Sequence, residues 1–221
     1  VTPNGRVRAA HVVLAGDVQL GALMPQIAAT LLPVTTFVMV TEPLADKLHE
    51  LVRYRGAISD TSRADNHYRI VGGANPAEAR LQWSGRMRTW QADPARFRNA
   101  LVADIKRNYP DLGAVEVAYL WHGTLGRTVH RMPQIGAIAE GVWLASGFGG
   151  HGLNTTAMGG ELVARGIVEG DQTWRLFAPY ELVWAGGRLG SAIAQGLYWA
   201  REPMEQFKAN VSRYRERQRI A

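Results

Sequence analysis

The chain has 221 residues, 47% of them hydrophobic, which is enough to bury the core of one large domain or two small ones. It contains no cysteine, so disulfides, thiolate metal sites and a cysteine nucleophile are excluded. The formal charge is +6, but the basic excess lies largely in RYRERQR at 213–219 and in scattered arginines. This distribution favours a solvated, charged C-terminal helix over a nucleic-acid-binding surface.

The sequence contains neither a transmembrane pattern nor a signal-peptide pattern. No stretch approaches the roughly eighteen apolar residues of a transmembrane helix, and VTPNGRVRAA lacks the apolar core and cleavage pattern of a signal peptide. We therefore expect a soluble, cytoplasmic protein with no membrane partner. The first residues read as the end of a hairpin followed by a buried strand, so we also expect the later part of a longer protein.

The first half of the chain alternates strand and helix signals. Val7 to Leu14 predicts a buried strand that ends at a Gly-Asp turn, and the β-branched run Val34 to Val40 predicts a second strand between two prolines. The segment at 44–54 has the leucine spacing of a short amphipathic helix. His67 to Val71 and Arg80 to Trp83 then predict two antiparallel strands joined by a polar loop.

The second half contains the clearest helix signal. Asp93-Pro94 is a cap followed by a first-turn proline, and apolar residues continue at helical spacing from Phe97 to Tyr109. An alternating strand with one buried face follows, carrying Val115, Val117, Tyr119 and Trp121 on one side. Two short strands, QIGAI and GVWLAS, and a helix from about Leu153 to Val168 complete a predicted α+β fold.

The segment GFGGHG at 147–152 matches the G-x-G-x-x-G pattern of a dinucleotide-binding turn. An apolar strand precedes it and a helix follows it, as that pattern requires. The helix, however, leads into EGDQTWRLFAP and not into an apolar strand that ends in an acidic residue, so half of the βαβ unit is missing.

Two interpretations of this turn remain. The turn can bring backbone N–H groups and the positive end of a helix dipole close to an electron-rich group, or it can be a tight strand-to-helix connection that binds nothing. The helix also carries small residues, which predict tight packing against a neighbouring element: Ala157, Gly159, Gly160 and Ala164.

Nearly the whole chain resembles the FAD-dependent amine and amino-acid oxidoreductases related to D-amino-acid oxidase. The resemblance lies in GRVRAAHVVLAGD, VTTFVMVTEPL, YLWHGTLGRTVHRMPQIG and GVWLASGFGGHGLNTTAMGGELVARGI. MPQIAATLLPVTTFVMVTEPL, DNHYRIVGG and WAGGRLGSAIAQGLYW are most similar to the gamma-glutamylputrescine oxidoreductase branch. In this family the pyrophosphate-binding G-x-G-x-x-G lies near the N-terminus of the full protein, and nothing here corresponds to it.

The resemblance implies an antiparallel-sheet substrate domain with helices, together with the C-terminal remnant of a glutathione-reductase-type α/β domain that binds FAD. The implied boundaries are 1–32 and 139–178 for the FAD-binding domain, 33–138 for the substrate-binding domain and 179–221 for a helical tail. The residues implied to contact the flavin ring are Gly147, Phe148, Gly149, Gly150, His151, Gly152 and Leu153. Without cysteine, a cysteinyl flavin linkage is impossible in these residues, so noncovalent FAD is implied.

The resemblance also implies the chemistry, which is hydride transfer from the carbon bearing an amine to FAD, hydrolysis of the imine, and reoxidation by oxygen or another acceptor. Leu125 stands where α-amino-acid oxidases carry an arginine that binds the substrate carboxylate. This difference argues for a substrate that is a primary or secondary amine of the gamma-glutamylputrescine kind. Arg127, two positions later, is close enough in sequence to compensate for the missing arginine. The residues expected around the substrate are Tyr68, Trp83, Trp121, His122 and Arg127, with ordinary core or sheet packing as the alternative for each aromatic residue.

Two hypotheses about the whole protein follow. In the first, the parent is a flavin-dependent amine oxidoreductase, and this chain alone is inactive and binds FAD weakly because it lacks the pyrophosphate-binding turn. In the second, the chain is a stand-alone, non-catalytic binding or interaction module. No metal site and no nucleic-acid partner are expected, and surfaces meant to face a missing half make self-association plausible.

Overall fold

The computed structural model describes residues 3–60, 66–72, 75–178 and 180–200. The strands are β1 (Val12–Leu14), β2 (Leu32–Thr41), β3 (Ile58–Ser59), β4 (His67–Val71), β5 (Arg80–Arg88), β6 (Val117–Arg127), β7 (Gln134–Ala139) and β8 (Val142–Ser146). The α-helices are α1 (Pro25–Ala28), α2 (Ala45–Leu51), α3 (Arg98–Asn108) and α4 (Gly152–Val168), and residues 187–200 are also helical. The basic run at 213–219 lies outside the described residues. The α+β fold class is confirmed.

The chain forms two compact units, one of residues 1–34 and 125–191, the other of residues 35–124 and 192–221. Residues 125–138 belong to the first unit, whereas the sequence resemblance implied that they belong to the substrate-binding domain.

The first unit contains a three-stranded sheet in the order β1-β8-β7. β1 runs parallel to β8, with Val12 opposite Val142, and β7 and β8 form an antiparallel pair. Helix α4 packs against this sheet, and Val163 shares a small core with Ile135, Trp143 and Ala145. The pair β7 and β8 and the helix after them are confirmed.

The first strand is shorter than the sequence predicted. The structure shows a strand only at Val12–Leu14, and Val7 is 88% exposed. The physical reason is the length of the pairing, because β1 is paired with β8 over three residues, from Val12 to Leu14. An apolar run defines a possible strand, but its length is set by its partner.

The second unit is built on a five-stranded sheet in the order β3-β4-β5-β2-β6. β5 pairs antiparallel with both β4 and β2, as expected for the segments at 67–71 and 80–83, and extends to Arg88. One core cluster, which includes Phe37, Leu81 and Trp83, joins this sheet to α2 and α3. Helix α3 follows a 3-10 turn in which the side chain of Asp93 accepts a hydrogen bond from the Ala95 N–H at 3.0 Å, so the predicted cap is confirmed.

The inward face of β6 differs from the prediction. Val115 and Val117 pack against the core as expected, but Tyr119 and Trp121 are 64% and 43% exposed, and Leu120 packs inward. The inward side of the segment therefore changes between Val117 and Leu120. Aromatic residues at alternate positions indicated a strand, but contacts with the rest of the core decide which side is buried.

The described residues contain neither a membrane-spanning helix nor a clustered set of metal ligands. None of their helices combines the length and apolar character needed to cross a bilayer. No cluster of three or more histidine, aspartate or glutamate side chains among them is arranged to hold a metal ion.

Candidate functional site

The glycine turn connects β8 to α4 within the first unit. Gly147 and Gly149 have φ values of 68° and 57°, in the left-handed region that favours glycine. A Cβ on Gly147 would also lie 2.7 Å from the Thr128 methyl carbon, so both backbone and packing require glycine there. A single 3-10 turn, Gly149–His151, then leads into α4.

The N-terminus of α4 is left open by the protein's own side chains. His151 is the N-cap residue, no side chain caps the helix, and the first turn contains no acidic residue. The hydroxyls of Thr155 and Thr156 donate to the carbonyl oxygens of His151 and Gly152, both at 2.5 Å. In these bonds the two hydroxyls act as donors, so the bonds do not satisfy the N–H groups of the first turn. A 17-residue helix with such an end presents unpaired N–H donors and a positive dipole end.

A cavity of about 680 Å³ lies beside the turn, within the first unit. Its lining is largely apolar and comes from the end of β1, the turn and one side of α4: Val13, Ala15, Asp17, Ala145, Phe148, Gly149, Gly152, Thr156, Gly160, Val163, Ala164 and Ile167. A Cβ built on Gly160, one of these lining residues, would meet no protein atom within 4 Å, and the same holds for Gly150, which follows the lining residue Gly149. The space in front of these two glycines is therefore not filled by the chain itself.

The small residues of α4 serve two purposes. A Cβ on Gly159 would lie 2.9 Å from the Phe148 ring, so this glycine allows the helix to pack closely on the turn. Gly160 and Ala164 are exposed and line the cavity, and Ala157 is also exposed. The prediction of tight packing was therefore right for Gly159 and wrong for the other three, because only Gly159 faces the Phe148 ring.

Asp17 connects the turn to two other segments of the first unit. Its carboxylate accepts hydrogen bonds from the Gly126 N–H at 2.5 Å, from the Gly147 N–H at 3.0 Å and from the Ser146 hydroxyl at 3.3 Å. The sequence alone predicts Asp17 only as a turn residue. Its one signal is its place in the Gly16-Asp17 turn after a strand, which is too common a pattern to identify a role.

Arg127, expected near the substrate, lies next to the glycine turn. Its backbone forms a β-bridge with Phe148, and its Cγ lies 3.7 Å from the position of a Cβ on Gly149. Arg127 is the last residue of β6 and lies two positions after the half-buried Leu125.

Tyr68 and Trp83 are brought together in the second unit. Their rings stack with centroids 4.3 Å apart, and the Tyr109 hydroxyl donates to the Tyr68 oxygen at 3.0 Å. Burial is the largest cause of a pKa of Tyr68 well above its ordinary value. Trp83 is fully buried in the core cluster, and its indole N–H has no hydrogen-bond partner among the described residues.

Trp121 and His122 lie on opposite sides of β6. The Trp121 side is exposed, whereas the His122 ring is half-buried and 6.4 Å from the Phe37 ring in an edge-on arrangement. The Nδ1 atom of His122 is buried, and no partner for it is found in the part of the chain that the structure describes. These two residues therefore do not share one face, unlike Tyr68 and Trp83.

The chain is similar to known proteins that are oxidoreductases. A family model described as FAD dependent oxidoreductase (DAO) matches residues 1–165. The chain is 30% identical over 172 residues to gamma-glutamylputrescine oxidoreductase from Escherichia coli strain K12, which covers 77% of this chain and 39% of that relative. It is 28% identical to the probable oxidoreductase OrdL of Haemophilus influenzae, over 66% of this chain and 32% of the relative.

Solved structures agree in fold. Glycine oxidase from Geobacillus kaustophilus matches with a TM-score of 0.63 and 19% identity, over 82% of this chain and 47% of that one. Fructosamine oxidase from Aspergillus fumigatus matches with a TM-score of 0.65 and 16% identity, over 86% and 48%. The chain thus spans less than half the length of each of these four proteins. Because the family model covers most of its residues, the chain belongs to the DAO family of FAD dependent oxidoreductases.

Proposed function

We propose that these residues form the C-terminal part of a flavin-dependent oxidoreductase that oxidises a primary or secondary amine of the gamma-glutamylputrescine kind. Residues 147–153 are assigned to one end of the flavin ring of a noncovalently bound FAD. The pyrophosphate of FAD is assigned to a part of the enzyme outside these residues, in keeping with the 39% of the Escherichia coli relative that the match covers.

The observation that carries the assignment is the open N-terminus of α4 beside an unfilled cavity. No side chain caps this helix, and no protein atom lies within 4 Å of a Cβ built on Gly160, which lines the cavity. A flat, largely apolar ring that carries hydrogen-bond acceptors at one edge fits such a site, because the cavity wall is apolar and the helix start supplies N–H donors. The residues present therefore fit a flavin.

The protein's part in the reaction is electrostatic. Bound FAD supplies the acceptor for a hydride from the carbon that bears the amine. The first-turn N–H groups and the positive end of the α4 dipole would stabilise negative charge on the adjacent edge of the ring. His151 acts through its backbone position at the N-cap and not as a general base, since its ring is not required for this stabilisation.

The amine assignment is supported by Leu125 and by the named Escherichia coli relative. A leucine cannot form the bidentate pair that an arginine makes with a carboxylate next to the reacting carbon. Arg127, beside the glycine turn, is the cation assigned to a more distant substrate carboxylate. Tyr68, Trp121 and His122 remain proposed substrate contacts. Trp83, which is fully buried, is proposed to support the site through the ring of Tyr68 that stacks on it.

The test adds the sequence encoded before Val1 to the chain and measures absorbance and amine-dependent flavin bleaching without oxygen. We expect a yellow protein that is bleached by gamma-glutamylputrescine and not by the α-amino acid glutamate. The 221-residue chain alone should be inactive and bind FAD weakly. A colourless extended protein, or a stop codon and ribosome-binding site immediately before Val1, would instead support the non-catalytic module.

Exposed apolar residues lead to a related proposal. Val12 and Val13 of the edge strand β1 are about half exposed, and the apolar cavity lies beside them. Self-association of the isolated chain through this surface is expected to increase with concentration, which sedimentation velocity measures directly.

A further inference from the structure

Asp17 has an unusual backbone conformation for its residue type. Its φ is 47°, in the left-handed region that non-glycine residues rarely adopt, although aspartate is among the residues that tolerate it. Such a conformation persists only where surrounding contacts determine it. Here the contacts are the three hydrogen bonds that the carboxylate accepts.

The partners of Asp17 come from segments that are distant in sequence. Gly126 lies 109 positions away at the end of β6, and Gly147 lies 130 positions away at the end of β8. A Cβ on Gly126 would lie 2.6 Å from a carboxylate oxygen of Asp17, so any other residue there would displace this carboxylate. Arg127, the next residue, forms the β-bridge to Phe148, so Asp17 holds both strands at the base of the turn.

These bonds also decide which N–H groups of the turn are available. The Gly147 N–H donates to Asp17, so it is already satisfied within the protein. The N–H groups at the start of α4 have no capping side chain. Gly147 therefore contributes the left-handed bend, and the donors for a ligand come from later residues.

We propose that Asp17 is a positioning residue that holds the glycine turn in its flavin-binding conformation. Hydrogen bonds to an ionised acceptor are stronger than those between neutral groups, so a carboxylate suits this role better than an amide or hydroxyl. The inference rests on the proposed function, because it is the assigned flavin contact that gives the turn a role beyond folding.

The first measurement needs no cofactor. Hydrogen exchange of the Gly126 and Gly147 amides is followed in the 221-residue chain and in Asp17→Ala, Asp17→Asn and, as a control, exposed Asp111→Asn. We expect exchange at both amides to accelerate roughly tenfold or more in Asp17→Ala and less in Asp17→Asn, which keeps one acceptor oxygen. Amides of β5 should be unchanged. If Asp17→Ala does not fold, the exchange rates of the two amides in Asp17→Asn serve as the test. Unaltered exchange at Gly147 in a folded variant overturns the inference.

The second measurement separates positioning from flavin binding. Riboflavin and FAD are titrated into the same variants made in the extended protein, which includes the sequence encoded before Val1, and the absorbance spectrum of the bound flavin is recorded. We expect roughly tenfold weaker binding and a shifted spectrum in Asp17→Ala, with partial recovery in Asp17→Asn. Faster exchange at Gly147 with unchanged flavin binding and spectrum would overturn the functional role of Asp17 and confine it to folding. Absence of flavin binding by the wild-type chain and by the extended protein would reject the proposed function itself.

Discussion

The guanidinium of Arg86 binds both carboxylate oxygens of Asp104, with its Nε and one terminal nitrogen 2.8 and 2.7 Å away. Asp104 is 3% exposed and also accepts from Arg107 at 2.8 Å, so this carboxylate joins β5 to α3 within the second unit. The side chain of Arg86 is largely buried as well. A bidentate, largely buried pair of this kind is costly to break on one side only.

Asp104→Ala should therefore lower the free energy of unfolding by about 3 kcal/mol or more, because it removes the largely buried carboxylate that accepts both hydrogen bonds from Arg86. Urea denaturation followed by tryptophan fluorescence measures the change. Exposed Asp111→Ala is the matched control and should change stability by less than about 0.5 kcal/mol. Equal effects in the two variants would contradict the prediction.

The elements with strong local signals were predictable from sequence. The cap and first-turn proline at Asp93 and Pro94 specified the start of a helical segment, and the glycine turn before α4 fixed the start of that helix. Both signals act over a few residues, so no knowledge of distant partners was needed.

Features that depend on distant partners were not predictable. The strand at Val12–Leu14 is short because its pairing with β8 is short, and Tyr119 and Trp121 are exposed because Leu120 faces the core. The role of Asp17 depends on amides 109 and 130 positions away, which no local pattern encodes. The site was thus recognisable as a turn, while the residue that holds it was not.

The raised pKa of Tyr68 predicts that the stability of the protein is sensitive to alkaline pH. Burial raises the pKa of Tyr68 above its ordinary value of 10.0, so the folded state resists loss of the phenol proton more than the unfolded state does. The folded state then binds more protons than the unfolded state, and stability falls as the pH rises above about 10. Tyr68→Phe should reduce this alkaline loss, while at pH 7 it should cost about 1 kcal/mol through the lost hydrogen bond with Tyr109.

The measurement is the urea midpoint as a function of pH between neutrality and pH 11. Tyr54→Phe serves as the control, because Tyr54 is 64% exposed and its removal should leave the pH profile unchanged. A Tyr68→Phe profile parallel to that of the wild type would show that another group causes the alkaline loss.

Two adjacent glycines of α4 should respond oppositely to alanine. Gly160 has open space at its Cβ position, so Gly160→Ala should stabilise the protein by roughly 0.5–1 kcal/mol through reduced backbone freedom in the unfolded chain. Gly159→Ala would place a methyl 2.9 Å from the Phe148 ring and should destabilise it by about 1–3 kcal/mol. Thermal unfolding of both variants gives the comparison, and a shift of the same sign in both would rule out this packing of α4 on the turn.

Gly150 offers the sharpest test of the flavin assignment. Its Cβ position is open and its φ is not positive, so Gly150→Leu should fold normally while adding a bulky side chain to backbone that is assigned to the flavin ring. Gly196→Leu is the matched control, since Gly196 also has open space at its Cβ but lies in the helical residues 187–200, away from the turn in sequence. In a flavin fluorescence titration, we expect the dissociation constant to rise roughly tenfold or more for Gly150→Leu and to stay unchanged for Gly196→Leu.

Thermal unfolding midpoints close to the wild-type value would show that both variants are folded. Equal flavin affinity in the two variants would mean that the ring binds elsewhere, because a leucine side chain and a flavin ring cannot occupy the same space in front of Gly150.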